Sequence, residues 1–577
     1  MNKLRTQGMA KTLLTASDHQ GAVGASSVGD SSSFETDYDV VVIGAGPQGI
    51  LYASWLKLAR PQTRVVVLER EETPKHKIGE STLSGFCKAL RSVGIRQDGL
   101  RQLFFPKNGL GFFHIDESTR DLTQASEYIL ETFDETFQVE RRILDSLLIA
   151  NARRLGVKVI QGAQVNISHS TLTQQGNIIT YSQGQQEFQL RASLLVDASG
   201  PASVLARHLD LYTKENATFQ SSAVWGYFKN VRRFDSRTDW KQQAQFSRDH
   251  YTQHLCFSEG WMWYIPLNSW QAAPDANVNQ LLERMLEPTG EFPMQEQLAE
   301  TYGSPVTDIV SIGLVLRRDR DRALKQGPQA AFDHYVNKYP AIRQVLDGAE
   351  LLDKHYGNRQ PLQTRANVRG HARQVTGDGW MIIGDAAFFV DPLISPGLTG
   401  GVATAYFAAQ TTLKVLDTGN FSCKAFTNYD RFVHRLHEAL ERDNQLVYMS
   451  FNHPEALELI QRFQEIDARR HFNQQQRTHN YSLADTNVWG ILSPTYQIVQ
   501  KQVWSILREA ELKIDPKHPS GAQSSSEYTN MVERLKDCLL PYLEMHAELS
   551  PYMIQNSQPE PSTEEAHCFS TSMGSRY

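Results

Sequence analysis

Gly44-Ala-Gly46-Pro-Gln-Gly49 has the composition and spacing of a phosphate-binding turn. Glycine permits a tight turn and lets a pyrophosphate approach the N-terminus of the next helix, where free N–H groups and the dipole favour an anion. Glu69 lies 20 residues beyond Gly49, where an acid accepts hydrogen bonds from an adenosine ribose. Three elements must hold these groups: a buried-type strand, Tyr38-Asp-Val-Val-Val-Ile43; a helix, ILYASWLKLA; and a second strand, Arg64-Val-Val-Val-Leu-Glu69. Together they form a β-α-β unit for a dinucleotide, which by itself does not separate NAD from FAD.

Three later stretches bear on that choice. Leu194-Leu-Val-Asp-Ala-Ser-Gly200 reads as a buried strand entering a turn of small residues. Gly379-Trp-Met-Ile-Ile-Gly-Asp385-Ala-Ala reads as a strand that delivers an acid to a turn where the backbone can approach a ligand. The stretch Pro396-Gly-Leu-Thr-Gly-Gly401 then opens a helix, whose positive end favours electron-rich groups. Separately, Gly260-Trp-Met-Trp-Tyr-Ile-Pro-Leu267 places two of the chain's 9 tryptophans two apart. In a strand, Trp261, Trp263 and Ile265 share one face while Met262 and Tyr264 share the other. Pro266 has no N–H and is expected to end the ladder. Such a wall can face a core or a cofactor.

At 577 residues the chain exceeds one ordinary core, so more than one domain or one interwoven unit is expected. Hydrophobic residues make up 40% and charged residues 21%, as in a soluble globular protein. A net charge of −6 without a dense Lys/Arg block argues against a nucleic-acid binder. The 5 cysteines are widely spaced and odd in number, which indicates neither a disulfide framework nor a CxxC metal site and fits a reducing cytoplasm. The 18 histidines, His434, His437 and His471 among them, come without the acids or cysteines of a zinc site. There is no signal-peptide h-region, and the glycines, prolines and acids of 379–409 exclude a membrane span, so a cytoplasmic location is expected. No GxSxG elbow supports serine-hydrolase chemistry. Residues 1–37 are rich in Ser and Gly and expected to be disordered. Residues 38–424 are expected to form the nucleotide-binding module, with a substrate-binding sheet interleaved at about 205–370. Helices are expected over 425–550 and a flexible tail over 551–577.

The DASG-like strand, the GD strand and Val139-Glu-Arg141-Arg-Ile-Leu-Asp145 resemble segments of the FAD-dependent aromatic-monooxygenase superfamily. The resemblance implies a Rossmann-like α/β fold in which Arg141 contacts FAD, Asp385 meets the ribityl chain and Gly397 lies near the flavin. Within that superfamily, GWMWYIPL resembles the WxWxIP motif of the flavin-dependent halogenases, where the indole wall stands beside the flavin and keeps the organic substrate away from it. Ile78-Gly79-Glu80-Ser81 resembles their GE(S/A) motif. Phe105-Pro-Lys107-Asn-Gly109-Leu-Gly-Phe112 resembles the lysine segment of the phenolic type and selects Lys107 over Lys88, Lys75 and Lys77, the last two being fallback candidates.

By this resemblance Lys107 and Glu80 are catalytic, and Ser81 contacts the cofactor. Reduced FAD, O2 and a halide are reactants: a flavin hydroperoxide gives hypohalous acid, which Lys107 holds or carries to an electron-rich aromatic ring. Ser395, Gly397, Leu398 and Thr399 are the halide candidates, although Pro396 removes one backbone donor that the family's motif provides. Ile394 replaces a glutamate of the tryptophan-specific branch, which points to a phenolic substrate, free or tethered to a carrier protein. With one dinucleotide fingerprint visible, reduced flavin is expected from a separate reductase. The alternatives are a flavin hydroxylase or reductase of the same superfamily, or a flavin-binding scaffold without turnover.

Overall fold

The computed structural model describes residues 35–214, 220–236, 239–240, 244–271, 275–287, 295–353, 355–357, 360–366, 369–478, 492–512 and 525–546. The tail expected over 1–37, apart from its last three residues, and that over 551–577 lie outside the described residues, as does the side chain of His471.

The valine-rich run Val40–Ile43 is buried on both faces, as parallel strands require. It pairs in parallel with Val65–Glu69 on one side and with Gln186–Asp197 on the other. Trp380–Ile382 extends the sheet in parallel beyond Gln186–Asp197, and Lys158–Gln161 extends it beyond Val65–Glu69. The carboxyl ends of these strands therefore deliver Gly44, Glu69, Ala198 and Asp385 to one edge, the position where open α/β sheets bind ligands. The helix Pro47–Ala59 packs against a second long helix, Pro396–Thr418, through a Tyr52–Thr412 hydroxyl contact of 2.7 Å. This is the Rossmann-like α/β arrangement expected from the sequence.

A second sheet faces that edge. Its strands run in the order Glu350–Leu351, Ser221–Lys229, Val306–Arg317, Gly260–Ser269, Tyr251–Phe257, Phe105–His114 and Ser126–Gln138, and Gln363–Ala366 also pairs with Ser221–Lys229. Two strands from before residue 150 thus join strands from beyond residue 220. One face of this sheet, with Met262, Tyr264, Val224 and Leu314, packs with Phe332, Tyr335 and Ile342 from two short helices. The opposite face carries Trp261, Trp263, Ile265, Ala223 and Cys256 and belongs to the core shared with the nucleotide-binding part.

Pro266 does not end the strand as expected. Pairing with Tyr251–Phe257 stops at Gln253–Tyr264, but pairing with Val306–Arg317 continues through Pro266–Val310 to Ser269–Val306. In an antiparallel strand a residue's N and C=O face the same neighbour, so proline is tolerated where its nitrogen faces the side on which pairing has stopped.

Beyond residue 425 the longer described elements are helices, Thr427–Ser450, Pro454–Thr478, Pro494–Glu511 and Ser525–Met545. No helix among the described residues is long and apolar enough to cross a membrane.

Candidate active site

A cavity of about 570 Å³ lies between the carboxyl edge of the first sheet and the tryptophan face of the second. Gly44 and Gly46 line its nucleotide end, and they do different work. Gly44 has φ +99°, and a Cβ there would stand 2.6 Å from the Ala198 carbonyl oxygen, so the chain itself requires glycine. A Cβ on Gly46 would meet nothing within 4 Å: the space beside it is left for a ligand. Gly49 packs beneath the turn and does not line the cavity. Glu69 lines it with both carboxylate oxygens engaged, Oε2 accepting from the Ala45 N–H at 2.7 Å and Oε1 from the Glu71 N–H at 3.0 Å. Each oxygen keeps a lone pair for a ribose hydroxyl.

Arg141 opens the helix Arg141–Arg154 and grips Asp145 one turn later with two bonds of 3.0 and 3.1 Å. Burial pushes the Asp145 carboxyl up, but Arg141 and Lys77 (3.1 Å) outweigh it and hold it below the usual range. Lys77, and Lys75 beside Glu71, are exposed residues at the rim. Asp385 faces the cavity, and burial pushes its carboxyl up to about 6 against the pull of Arg141, Arg365 and Lys77. A protonatable, half-buried acid beside an open glycine turn and a cation fits the ribityl and pyrophosphate groups of FAD.

Trp261, Trp263 and Ile265 also line the cavity, on the side of the second sheet. Both indoles are held: Trp261 donates to the Tyr448 hydroxyl at 2.8 Å, and Trp263 donates to Ser311 at 3.1 Å. Tyr448 in turn donates to Asp391 at 2.9 Å, and Asp391 also accepts from Ser221 at 2.6 Å. Pro266 is not part of the lining.

Opposite the wall, Ser395 adopts φ +53° and the helix Pro396–Thr418 begins. Pro396 takes the first helical position, where an N–H has no intrahelical partner anyway. The N–H groups of Gly397 and Leu398 belong to the same unpartnered first turn. The Thr399 hydroxyl is buried without a hydrogen-bond partner, and a Cβ on Gly397 would meet nothing within 4 Å. Ser395 donates to Ser81 at 3.0 Å, tying this turn to the Gly79-Glu80-Ser81 segment.

Glu80 is 2% exposed and lines the cavity. His76 Nδ1 accepts from the Arg141 N–H at 3.1 Å, so Nε2 carries a proton, which faces both the Tyr227 hydroxyl at 2.9 Å and the Glu80 carboxylate at 3.0 Å. The imidazole is stacked on Tyr356 with ring centroids 3.7 Å apart. Lys107 lies on the strand Phe105–His114, is 0% exposed, and donates from Nζ to the Thr82 carbonyl at 2.6 Å. Burial pushes its pKa down to about 7, against a smaller effect of Cys87. The cavity lining reaches Ser81, Thr252 and His254 but does not include Lys107.

No sequence motif marks His76, Tyr356, His254 or Tyr448, which the structure brings to the site. A period-two pattern in Thr252, His254 and Cys256 was available for one of them; the others sit on loops or on a helix with no local signal.

The FAD binding domain family model matches residues 37–271. The chain is 30% identical over 518 residues to the flavin-dependent halogenase malA of Malbranchea aurantiaca, an alignment that covers 82% of this chain and 74% of that protein. It is 26% identical to the 1H-pyrrole-2-carbonyl-[peptidyl-carrier protein] chlorinase of Pseudomonas fluorescens, over 69% of this chain and 80% of that one. Among solved structures, halogenase PltM shares the fold at a TM-score of 0.68 and 18% identity, covering 87% of this chain and 97% of its own.

Proposed function

Since the chain belongs to the flavin-dependent halogenases, enzymes that use FAD, we propose that it makes hypohalous acid in the cavity and uses it, through Lys107, to halogenate an electron-rich, phenolic aromatic compound. The observation that carries this is Lys107 itself. It is a fully buried amine with a pKa near neutrality, in contact with the residue that follows Gly79-Glu80-Ser81 and outside the cavity walled by Trp261 and Trp263.

Reduced FAD supplies, with dioxygen and a proton, the oxidation that turns halide into hypohalous acid and water. The chain's groups do the rest. Gly44, Gly46, Glu69, Arg141 and Asp385 hold the cofactor, and Ser81 braces the turn beside it. The first turn of the Pro396–Thr418 helix offers N–H groups and the Thr399 hydroxyl to the halide. The indole wall keeps the organic substrate from the site of oxidation. Glu80, fixed by His76, presents its carboxyl group to the cavity.

Near neutral pH a large fraction of Lys107 is the free amine. As an ammonium it donates a hydrogen bond to hypohalous acid. As an amine it attacks the halogen: an N–X bond forms, the X–O bond breaks, and the departing hydroxide takes the nitrogen's extra proton to become water. The aromatic carbon then takes the halogen as the N–X bond breaks, and the C–H proton it loses replaces the halogen on nitrogen, restoring the amine.

Ile394 stands where tryptophan-specific members carry an acid, which favours a phenol. Two of the relatives are named for substrates on a peptidyl carrier protein, so a carrier-bound phenol is the second form to try. A separate reductase is the source of reduced flavin. The test is product mass spectrometry with FADH2, oxygen, bromide or chloride and a panel of free and carrier-bound phenols, indoles and pyrroles. A product heavier by one halogen in place of hydrogen, absent without halide, supports the proposal. An oxygenated product that forms equally without halide would replace it with hydroxylation.

A further inference from the structure

His254 sits where the tryptophan wall meets the strand that carries Lys107. It is 1% exposed and lines the cavity, with Trp263 as its cross-strand partner on one side and Phe112 on the other. The ring lies flat on Phe112, centroids 4.5 Å apart and planes 12° apart, and 5.2 Å from Trp261. It is a polar group set in an aromatic surface, held in one orientation.

Its proton is assigned by its partner. Nδ1 lies 2.9 Å from the Gly111 carbonyl, which can only accept, so Nδ1 carries the hydrogen. Nε2 is then an acceptor, and it is buried without a hydrogen-bond partner. Burial, aided by Lys107, pushes the ring's pKa down to about 3 despite the nearby Gly111, Leu393 and Thr252 carbonyls, so the imidazole is neutral near pH 7. A buried acceptor without a donor is costly, which implies a small donor that visits it.

We propose that His254 Nε2 is a hydrogen-bonding station for hypohalous acid on its way from the flavin cavity to Lys107. The inference rests on the function proposed above. Hypohalous acid is neutral near pH 7 and brings an O–H donor, which the Nε2 lone pair accepts. A halide ion brings no donor and is repelled by the same lone pair, so the anion stays at the helix N-terminus while its oxidised product moves on. No bond is made or broken at the histidine, and the proton stays on the oxygen. His254 thereby acts as a selector as well as a stepping stone.

The test compares wild type, His254→Phe and His254→Gln with FAD bound. Two quantities are read: halogenated product per flavin oxidised, and free oxidant caught by an added thiol. The expected result for His254→Phe is unchanged FAD binding and flavin oxidation, with product per flavin lowered roughly tenfold, the worth of one hydrogen bond, and the missing oxidant in the trap. His254→Gln, which restores an acceptor, should recover most of the product. Equal product per flavin in His254→Phe, or an equal loss in both variants, would overturn the proposal.

A second measurement needs no turnover. FAD-loaded protein receives one equivalent of hypobromite, and bromine on Lys107 is counted by mass spectrometry. Slower labelling in His254→Phe than in wild type and His254→Gln supports the station, and equal labelling overturns it. If wild type gives no halogenated product from any substrate while this difference persists, it is the functional reading that fails.

Discussion

Replacing Lys107 with methionine should make the protein more stable, because the amine is held at a cost. An unstructured lysine titrates at 10.5 and Lys107 at about 7. At about 1.4 kcal/mol per pKa unit, keeping it in the fold at pH 7 costs about 4 kcal/mol. Methionine fills a similar volume and loses the bond to the Thr82 carbonyl, about 1 kcal/mol, leaving a net gain of about 3 kcal/mol. The pH dependence gives the sign a second check. The folded pKa lies below the unfolded one, so the unfolded chain binds more protons between pH 7 and 10.5. Wild-type stability should therefore rise across that window relative to Lys107→Met, and the gap should narrow by about 2 kcal/mol between pH 7 and 9. Urea denaturation of both proteins at the two pH values, with FAD saturating, measures this. A variant less stable than wild type at pH 7, or a gap that does not change with pH, would refute the claim of a desolvated amine.

Five further substitutions, at four positions, separate fold from site. Gly44→Ala should cost stability, since its Cβ meets the Ala198 carbonyl at 2.6 Å; Gly46→Ala should melt like wild type yet bind FAD more weakly in a fluorescence titration. Tyr448→Phe removes the acceptor of the Trp261 indole N–H and a donor to Asp391, so denaturation should show a loss of about 3 kcal/mol. Arg141→Ala leaves Asp145 buried with only Lys77, and a loss of about 3 kcal/mol with weaker FAD binding is expected. Arg141→Lys should recover little, because an ammonium cannot make the paired contact.

What could be read from the sequence is what is local. The strand, turn, helix, strand and Glu69 lie within one short stretch, and each is dictated by side-chain periodicity or by glycine. The two faces of the tryptophan strand followed from its period of two. The role of Pro266 did not, because a strand inside a sheet has two neighbours and the sequence does not say which of them the nitrogen faces. Lys107 could be selected by its motif, but its burial depends on Thr82 and Thr136 from two other segments. The bracing of Trp261 was invisible, since Tyr448 lies 187 residues away on a helix whose pattern reads only as amphipathic. His254 was overlooked because a histidine in an apolar strand is ordinarily a satisfied core residue. Its orphan nitrogen exists only once Phe112, Gly111 and Trp263 are assembled around it.

The central claim is that the oxidant formed in the flavin cavity reaches the aromatic substrate through Lys107. It is tested most directly by single-turnover mixing of FADH2-loaded protein with oxygen, halide and the accepted substrate, following flavin oxidation and halogenated product together in wild type and Lys107→Ala. Flavin oxidation at the wild-type rate with product abolished in the variant is the predicted result. Undiminished product in Lys107→Ala would contradict the account.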